Sequence, residues 1–233
     1  MFHAVEDESD CTSLASATIP DSIAEIPERT FSGCTSLTNV IIPNSVTNIG
    51  AGAFSDCSSL TSVTIPDSVT GIGGEAFSGC TSLIAITVDA LNNAYSTVDG
   101  VLFDKDQTTV IQCPAGKAGS YTIANSVTSI GFGAFLWCSS LTAITVDALN
   151  SVYSSVDGVL FNKSLTTLIQ CPGRKTGGYT IPNSVTCIGE AAFSGSLGSA
   201  QKGQRLLFTR GRLRFAAQMP SQFSVQINAS AHC

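Results

Sequence analysis

Charged side chains are scarce in this sequence. Asp, Glu, Lys and Arg make up 12% of the 233 residues, about half of the ~25% that is typical of soluble proteins. Serine, threonine, asparagine and glycine take their place, a surface commoner on secreted and cell-surface proteins than on cytosolic ones. No apolar run of about 18 residues occurs, so the sequence encodes no transmembrane helix. The start, MFHAVEDESD, lacks the apolar segment of a secretory signal.

The residues that catalysis and metal binding require are also few. The only two histidines are His3 and His232, one near each end, so a Ser-His-Asp or Cys-His arrangement cannot be built in the middle of the chain. No GxSxG, GxGxxG, GxxxxGK or CxxC motif is present. The sequence therefore predicts no enzyme, no catalytic, cofactor-binding or metal-binding residues, and no cofactor.

What the chain does contain is a repeat. IPNSVTNIGAGAFSDCSSLTSVT begins at Ile42, and IPDSVTGIGGEAFSGCTSLIAIT begins 23 residues later at Ile65. A period of about 20–29 residues with fixed aliphatic positions is typical of a leucine-rich repeat solenoid. Each repeat ends in alternating apolar and polar residues, the pattern of a half-buried strand. We predict a parallel β ladder in which Val63 lies between Val40 and Ile86, with short helical or irregular return segments.

Three other positions recur at the same spacing. The glycines are predicted to adopt a positive φ in a tight turn, which Pro27 of the first copy cannot share; they are Gly50, Gly73, Gly131 and Gly189. The phenylalanines are predicted to stack as an internal column; they are Phe31, Phe54, Phe77, Phe135 and Phe193. The column of Cys11, Cys34, Cys57 and Cys80 admits buried thiols, disulfides between consecutive layers or, less readily, a metal site.

A longer period of 58 residues is superimposed, because the insert that begins at Asp89 recurs at Asp147. In this insert Val101-Leu102-Phe103 and Thr109-Val110-Ile111 flank a short polar run, which predicts a β-hairpin. The polar run, Asp104-Lys105-Asp106, has too few acids for calcium and is interpreted as a plain turn. Asp89, Asp99, Asp147 and Asp157 are predicted to fix loops through side-chain hydrogen bonds to the backbone.

Together, these motifs are similar to the BspA-like leucine-rich repeat proteins. The similarity covers roughly residues 10–195 and rests on IPxSVTxIGxxAFxxCxxLTxVTIP and on YSSVDGVLFNK, TTLIQCP and YTIPNSVT in the insert. The resemblance implies a large surface or secreted protein of bacteria or microbial eukaryotes, in a family where several members are adhesins. It implies no catalytic residues, and the fold alone does not name a partner.

The predicted binding surface is the outward side of the strands. Its residues, together with two tyrosines that precede the hairpins, are Asn39, Ile41, Ser62, Thr64, Ala85, Thr87, Ala143, Thr145, Tyr95 and Tyr153. Small neutral side chains predict weak contacts in each layer that add along the array. We expect a protein ligand, such as extracellular matrix or another cell's surface, and a monomer that binds no nucleic acid. The alternative is an intracellular protein-interaction scaffold in the cytoplasm.

The chain ends differ in character from the repeats. We predict a disordered extension at 1–9, a solenoid at 10–195 and a basic, disordered tail at 196–233 that does not repeat. The chain up to residue 195 holds all 17 acidic residues, whereas the tail holds five basic residues and no acidic one. The beginning at Asp10-Cys11, inside the repeat pattern, suggests that the chain is part of a longer array.

Overall fold

The chain winds into a solenoid of short strands joined by turns. A computed structural model describes residues 11–176 and 179–195, together with the backbone of residues 205–209 and 212–216. No helix occurs in these parts of the chain, so the return segments are turns and the predicted fold class is confirmed. The predicted extension at 1–9 lies outside the described residues, as does most of the tail.

The first column of strands forms one side of each layer. Its members are β1 (Ser16–Thr18), β3 (Asn39–Ile41), β5 (Ser62–Ile65), β7 (Ala85–Val88), β11 (Gly119–Ile123) and β13 (Leu141–Val146). Three parallel pairs form within it, β1 with β3, β5 with β7 and β11 with β13. Partners in the first two pairs are one 23-residue repeat apart, as the sequence predicts.

The predicted position of Val63 is confirmed. Val63 pairs with Ile86 in the ladder, and Val40, Val63 and Ile86 are 5%, 2% and 0% exposed within one core cluster. Strands β3 and β5 belong to separate pairs, and the residues just before them are joined by a long hydrogen bond from the nitrogen of Thr61 to the oxygen of Thr38 at 3.5 Å. The side chains of the first column therefore pack continuously into the core, whereas the backbones at β3 and β5 are only loosely joined by hydrogen bonds.

A second column of two-residue strands runs beside the first. It consists of β2 (Glu25–Ile26), β4 (Asn48–Ile49), β6 (Gly71–Ile72), β12 (Ser129–Ile130) and β17 (Cys187–Ile188). The first three strands pair in parallel in the order β2, β4, β6. The residues between each of these strands and the next strand of the first column are called the return segments below.

Each insert forms a three-stranded meander rather than a single hairpin. The first contains β8 (Tyr95–Val98), β9 (Val101–Asp104) and β10 (Thr109–Gln112), and the second contains β14 (Tyr153–Val156), β15 (Val159–Asn162) and β16 (Thr167–Gln170). The predicted hairpin of β9 and β10 is confirmed. The last strand of each meander pairs in parallel with the second column, β10 with β12 and β16 with β17. Each meander is thus one layer of the solenoid.

The phenylalanine column is confirmed only in the first three layers. Phe31 stacks on Phe54 with ring centroids 5.2 Å apart, and Phe54 stacks on Phe77 at 5.4 Å. The backbone nitrogen of Phe54 binds the oxygen of Ala76 at 2.8 Å, and Cys113 makes the same bond to the oxygen of Ala134 at 2.7 Å. Cys113 therefore occupies the phenylalanine position in the meander layer, which separates Phe77 from the next ring.

The prediction that the repeated glycines adopt a positive φ was wrong. Positive φ occurs elsewhere in the return segments, at Gly33, Gly52 and Gly79 for example, and at none of the four predicted glycines. A Cβ atom on Gly50 would instead lie 2.5 Å from the backbone nitrogen of Glu28 in the preceding layer. At Gly50 and Gly73 glycine is required because the backbones of successive layers approach too closely for a side chain, whereas at Gly131 and Gly189 the nearest backbone atom is 3.3 and 3.2 Å away.

The scarcity of charge has a structural explanation. Hydroxyl side chains donate to backbone oxygens of the preceding layer, as Thr38 does to Ala15 at 3.0 Å and Ser68 does to Val46 at 2.7 Å. The same bond is made by Ser45, Thr47, Ser126 and Ser184. These hydroxyls therefore add hydrogen bonds between successive layers, and at Ala15 and Ala24 the same oxygen also accepts from the backbone nitrogen of the threonine.

A buried asparagine lies near the start of each insert. The side-chain nitrogen of Asn92 donates to the oxygens of Pro66 and Val69 at 2.7 and 2.9 Å, and its side-chain oxygen accepts from the nitrogens of Ala94 and Tyr95 at 2.8 and 2.7 Å. Asn150 repeats this arrangement in the second insert. Both N–H groups and the oxygen of the side-chain amide are hydrogen-bonded, which fixes the backbone at the start of each meander.

The repeated aspartates divide into two kinds. Asp89 and Asp147 accept from backbone nitrogens two residues on, at 2.9 and 2.8 Å, as predicted. Asp99 instead forms an ion pair with Lys117 at 2.8 Å. Asp104 accepts from Thr108 and Thr109 across the β9–β10 turn, so the interpretation of this run as a plain turn agrees with the structure.

In the tail, the described backbone forms two antiparallel strands, β18 (Arg205–Thr209) and β19 (Arg212–Ala216). The remainder of the predicted region 196–233 lies outside the described residues, so its predicted disorder stays a prediction.

Candidate functional site

The outward side chains of the first column form a stripe along the solenoid. We call it the strand-face stripe; the predicted members on the strands are Asn39, Ile41, Ser62, Thr64, Ala85, Thr87, Ala143 and Thr145. The first four and Thr87 are exposed, and the other three are half-buried. Alternation explains this arrangement, because neighbours such as Val63 and Ile86 point into the core. Ile41 is 55% exposed and is the largest apolar group among these residues.

Pairs of threonines join neighbouring layers along the stripe. The hydroxyl oxygens of Thr64 and Thr87 lie 2.8 Å apart, and Thr87 also donates to the backbone oxygen of Val63 at 3.1 Å. A hydroxyl has one hydrogen, so Thr64 is the donor within the pair. Thr122 and Thr145 repeat the contact at 2.8 Å. These bonds hold the exposed hydroxyls in fixed positions, with lone pairs available to hydrogen-bond donors of a ligand.

A shallow depression of about 300 Å³ lies where β3 and β5 are loosely joined. Four predicted stripe residues contribute to its wall, which also includes residues from the turns after the strands. The lining consists of Asn39, Val40, Ile41, Ile42, Asn44, Ser62, Val63, Thr64, Pro66 and Asp89. The depression thus combines one exposed apolar side chain, Ile41, with amide, hydroxyl and carboxylate groups.

The two alanines of the stripe contact the meanders. A Cβ atom on Gly100 would lie 2.9 Å from the Cβ of Ala85, and one on Gly158 would lie 2.7 Å from the Cβ of Ala143. Each glycine belongs to an Asp-Gly turn with positive φ at both residues, the conformation of a tight hairpin. Alanine is therefore small here because a turn lies against it, and these two positions offer little surface to a ligand.

The two predicted tyrosines are not exposed anchors. Tyr95 and Tyr153 are half-buried and pack against the core clusters. The hydroxyl of Tyr95 donates to the backbone oxygen of Thr70 at 3.3 Å, and burial raises the pKa of Tyr95. Their participation in binding stays a prediction, and the packing shows that both rings have a structural role.

The sequence prediction missed four residues that the structure adds to the stripe. Ser16 and Thr18 pair with Asn39 and Ile41, while Ser120 and Thr122 pair with Ala143 and Thr145. All four are exposed. The sequence signal was present, because Ser120-Tyr121-Thr122 alternates in the same way as Ser62-Val63-Thr64.

The aligned cysteines are thiols. Cys11 is an exposed thiol, and the buried thiols are Cys34, Cys57, Cys80, Cys113, Cys138 and Cys171; Cys187, outside the aligned column, is disulfide-bonded. The thiols of Cys57 and Cys80 donate to the oxygens of Phe31 and Phe54, each at 3.0 Å. Burial raises the pKa of Cys34 to about 12, and contact with Cys57, with burial, raises that of Cys80. A thiol that stays protonated is a poor nucleophile and metal ligand.

Groups for acid–base or metal chemistry do not converge on this face. In residues 11–176 and 179–195 no three His, Cys, Asp or Glu side chains are placed to hold a metal ion. The same part of the chain has no helix of the length and apolarity needed to cross a bilayer. The strand-face stripe provides a surface and hydrogen-bonding groups that a ligand can contact.

Comparison with protein families identifies the repeat. The profile of the BspA type leucine rich repeat region matches residues 9–117 and 115–177, with six copies. This chain belongs to the BspA-type leucine-rich repeat family. The predicted resemblance is thereby confirmed, and the family is one of repeat modules found in bacterial surface-type proteins.

Solved structures of leucine-rich repeat proteins are similar to this BspA-type chain. A leucine rich cell surface protein from Faecalibacterium prausnitzii A2-165 is 28% identical over 80% of this chain and 52% of its own, with a TM-score of 0.51. The pneumococcal vaccine antigen PcpA is 26% identical over 77% of this chain and 42% of its own, with a TM-score of 0.46. No curated protein matches the chain. The chain thus spans about half the length of these two structures.

Proposed function

We propose that this chain is a non-enzymatic protein-binding module whose ligand lies along the strand-face stripe. The observation that carries the proposal is the strand-face stripe itself, where two hydrogen-bonded threonine pairs, Thr64 with Thr87 and Thr122 with Thr145, lie on the same side as the depression at Ile41. Among these residues no aromatic or arginine anchor stands out, and such anchors dominate tight interfaces. Affinity is therefore expected from many weak contacts along an extended ligand.

We also propose that the module belongs to a protein displayed on, or secreted from, a cell, where it binds host or matrix proteins. The similar Faecalibacterium protein is described as a cell surface protein, and the family supports the same location. The neutral, hydroxyl-rich surface agrees with an extracellular site.

A second candidate is an intracellular protein-interaction scaffold. The observation that favours it is that Cys34, Cys57 and Cys80 remain thiols although they occupy one column, whereas the disulfide at Cys187 favours an extracellular location. Free thiols persist in reducing compartments. The two candidates share the binding surface and differ in where the partner is found.

Binding to the strand-face stripe is tested with two charge-matched variants. Ile41→Lys combined with Thr64→Lys alters both walls of the depression, whereas the control places two lysines on the return segments, at Gly74 and at the exposed Thr35, and so adds the same charge. We expect the first variant to lose at least about tenfold in affinity for matrix proteins on a broad panel, with the control unchanged. Equal binding by both variants, or no binding by the native chain, would contradict the proposal.

Location is tested separately. An antibody against the repeats should label intact, unpermeabilised cells of the source organism if the protein is at the surface. Labelling only after permeabilisation, together with capture of partners from the cytoplasm, would support the scaffold instead.

A further inference from the structure

Two large aromatic side chains are exposed on one return segment. Phe132 is 66% exposed and Trp137 is 49% exposed. The corresponding residues of other repeats are small or charged: Ala51, Gly74 and Glu190 for Phe132, and Gly33, Asp56, Gly79 and Gly195 for Trp137. The repeat itself therefore does not require an aromatic group at either position. We call residues 131–138 the aromatic return loop.

Trp137 is held in an unfavourable backbone conformation. Its φ is +60°, in the left-handed region, where the corresponding Gly79 and Gly195 have φ of +73° and +80°. Glycine adopts this region freely, whereas a bulky side chain does so at a cost. The corresponding Asp56 also has a φ of +59°, so the turn belongs to the repeat, and the bulk of its side chain sets Trp137 apart.

The two rings have no aromatic or cationic partner among the described residues. Lysine side chains elsewhere lie over tyrosine rings, with Nζ 5.8 Å from the ring centroid of Tyr121 for Lys117 and 5.1 Å from that of Tyr179 for Lys175. No ring contact or cation over a ring is found for Phe132 or Trp137 in the parts of the chain that the structure describes. The faces of these rings are therefore available to a cation from outside.

One carboxylate, that of Glu75, lies beside the loop. A Cβ atom on Gly133, next to Phe132, would lie 3.2 Å from Cγ of Glu75. Glu190 occupies the position equivalent to Phe132 in the following repeat and is exposed. The chain up to residue 195 holds 17 acidic and 6 basic residues. Two exposed aromatic side chains on a loop beside a carboxylate are complementary to an ammonium or guanidinium group.

We propose that the aromatic return loop is a second interaction surface, distinct from the strand-face stripe, that binds a lysine- or arginine-bearing peptide segment of a partner protein. A cationic side chain lies over the indole of Trp137, Phe132 contacts its aliphatic stem, and Glu75 supplies the counter-charge. The loop acts as a local anchor, in contrast to the distributed contacts of the stripe.

The single tryptophan of the chain makes the test direct. A ten-residue peptide of alternating lysine and serine is titrated into the full chain while tryptophan emission is recorded. We expect a saturable change in emission, and no such change with the same peptide carrying glutamate in place of lysine. Absence of a saturable change with the lysine peptide overturns the proposal, as does equal binding of the glutamate peptide.

Variants separate the loop from general attraction to an acidic protein. Trp137→Gly restores the usual residue of the repeat, so it keeps the fold, and it should weaken binding of a fluorescein-labelled lysine peptide about five- to tenfold by anisotropy. Glu75→Gln should weaken it about two- to fivefold. Ile84→Thr, which removes a 65%-exposed apolar group elsewhere, should leave it unchanged. Equal affinity of Trp137→Gly and the native chain overturns the proposal, and so does saturable binding of a neutral oligosaccharide in place of the peptide.

Discussion

The position that a Cβ atom would take on Gly73 lies 2.3 Å from the backbone nitrogen of Ala51 in the preceding layer. Real Cβ atoms do not approach backbone so closely, so Gly73→Ala must push two layers apart. We expect a loss of about 1–3 kcal/mol in the free energy of unfolding, measured by urea denaturation. Gly74→Ala is the control, because a Cβ atom there meets nothing within 4 Å. Equal stability of the two variants would show that the layers are not packed as described.

The stacked phenylalanines predict a second difference between similar substitutions. Phe54 is fully buried between Phe31 and Phe77, so Phe54→Ala should lower the free energy of unfolding by about 3–5 kcal/mol. Phe132→Ala removes the same atoms from an exposed site and should change it by less than about 0.5 kcal/mol. Both are measured by denaturant titration, and a small effect at Phe54 would be incompatible with a packed ring column.

The buried asparagine predicts an effect that depends on pH. Asn92→Asp replaces a donor of two hydrogen bonds by an acceptor facing the oxygens of Pro66 and Val69, which should cost about 2–3 kcal/mol at pH 7. Burial raises the pKa of the new carboxyl group, so its proton is retained more tightly in the folded state. The deficit should therefore shrink as pH falls toward about 4. Asn93→Asp, at the exposed neighbouring residue, should show neither effect.

Alkaline pH should destabilise the solenoid. Burial raises the pKa of Cys34 from the ordinary 9.0 to about 12, so the folded state retains its proton where the unfolded state has lost it. The resulting stability is complete below about pH 9 and is lost as pH rises toward 12. Burial raises the pKa of Tyr121 as well, which acts in the same direction. Unfolding free energies measured between pH 7 and 11 should fall, and Cys34→Ala should reduce the fall; a flat profile would contradict this account.

Strand register could be predicted from the sequence because the 23-residue spacing aligns identical positions. Val63 and Ile86 needed no further information, since alternation decides which residues point inward. The glycine φ values could not be predicted in the same way. The sequence shows that Gly50 and Gly73 recur, whereas the distance between successive backbones exists only in the folded stack.

The inserts limited the sequence prediction in another way. Their 35 additional residues interrupt the 23-residue spacing, so the sequence does not show that Cys113 occupies the phenylalanine position. The hydrogen bond from Cys113 to Ala134 shows it. Strand β8 was missed because Tyr95-Ser96-Thr97-Val98 carries little alternation, although the Asp99-Gly100 pair is a strong hairpin signal.

The candidate site was predicted in outline. Exposure of Ser62 and Thr64 follows from alternation with Val63. The contacts of Ala85 with the Gly100 turn depend on where the insert lies in space, which no local pattern states. The exposed position of Trp137 was not predicted either, because it depends on the fold of a turn where other repeats have glycine.

The bond between Cys113 and Ala134 returns, at the same length of 2.7 Å, between Cys171 and Ala192. The two ends of the 58-residue unit are therefore joined to their neighbouring layers by the same hydrogen bond. A gene could lose or duplicate such a unit, and the new contact between layers would be one that the protein already contains. The length of the solenoid would then change in steps of one unit, with the same structure at each end.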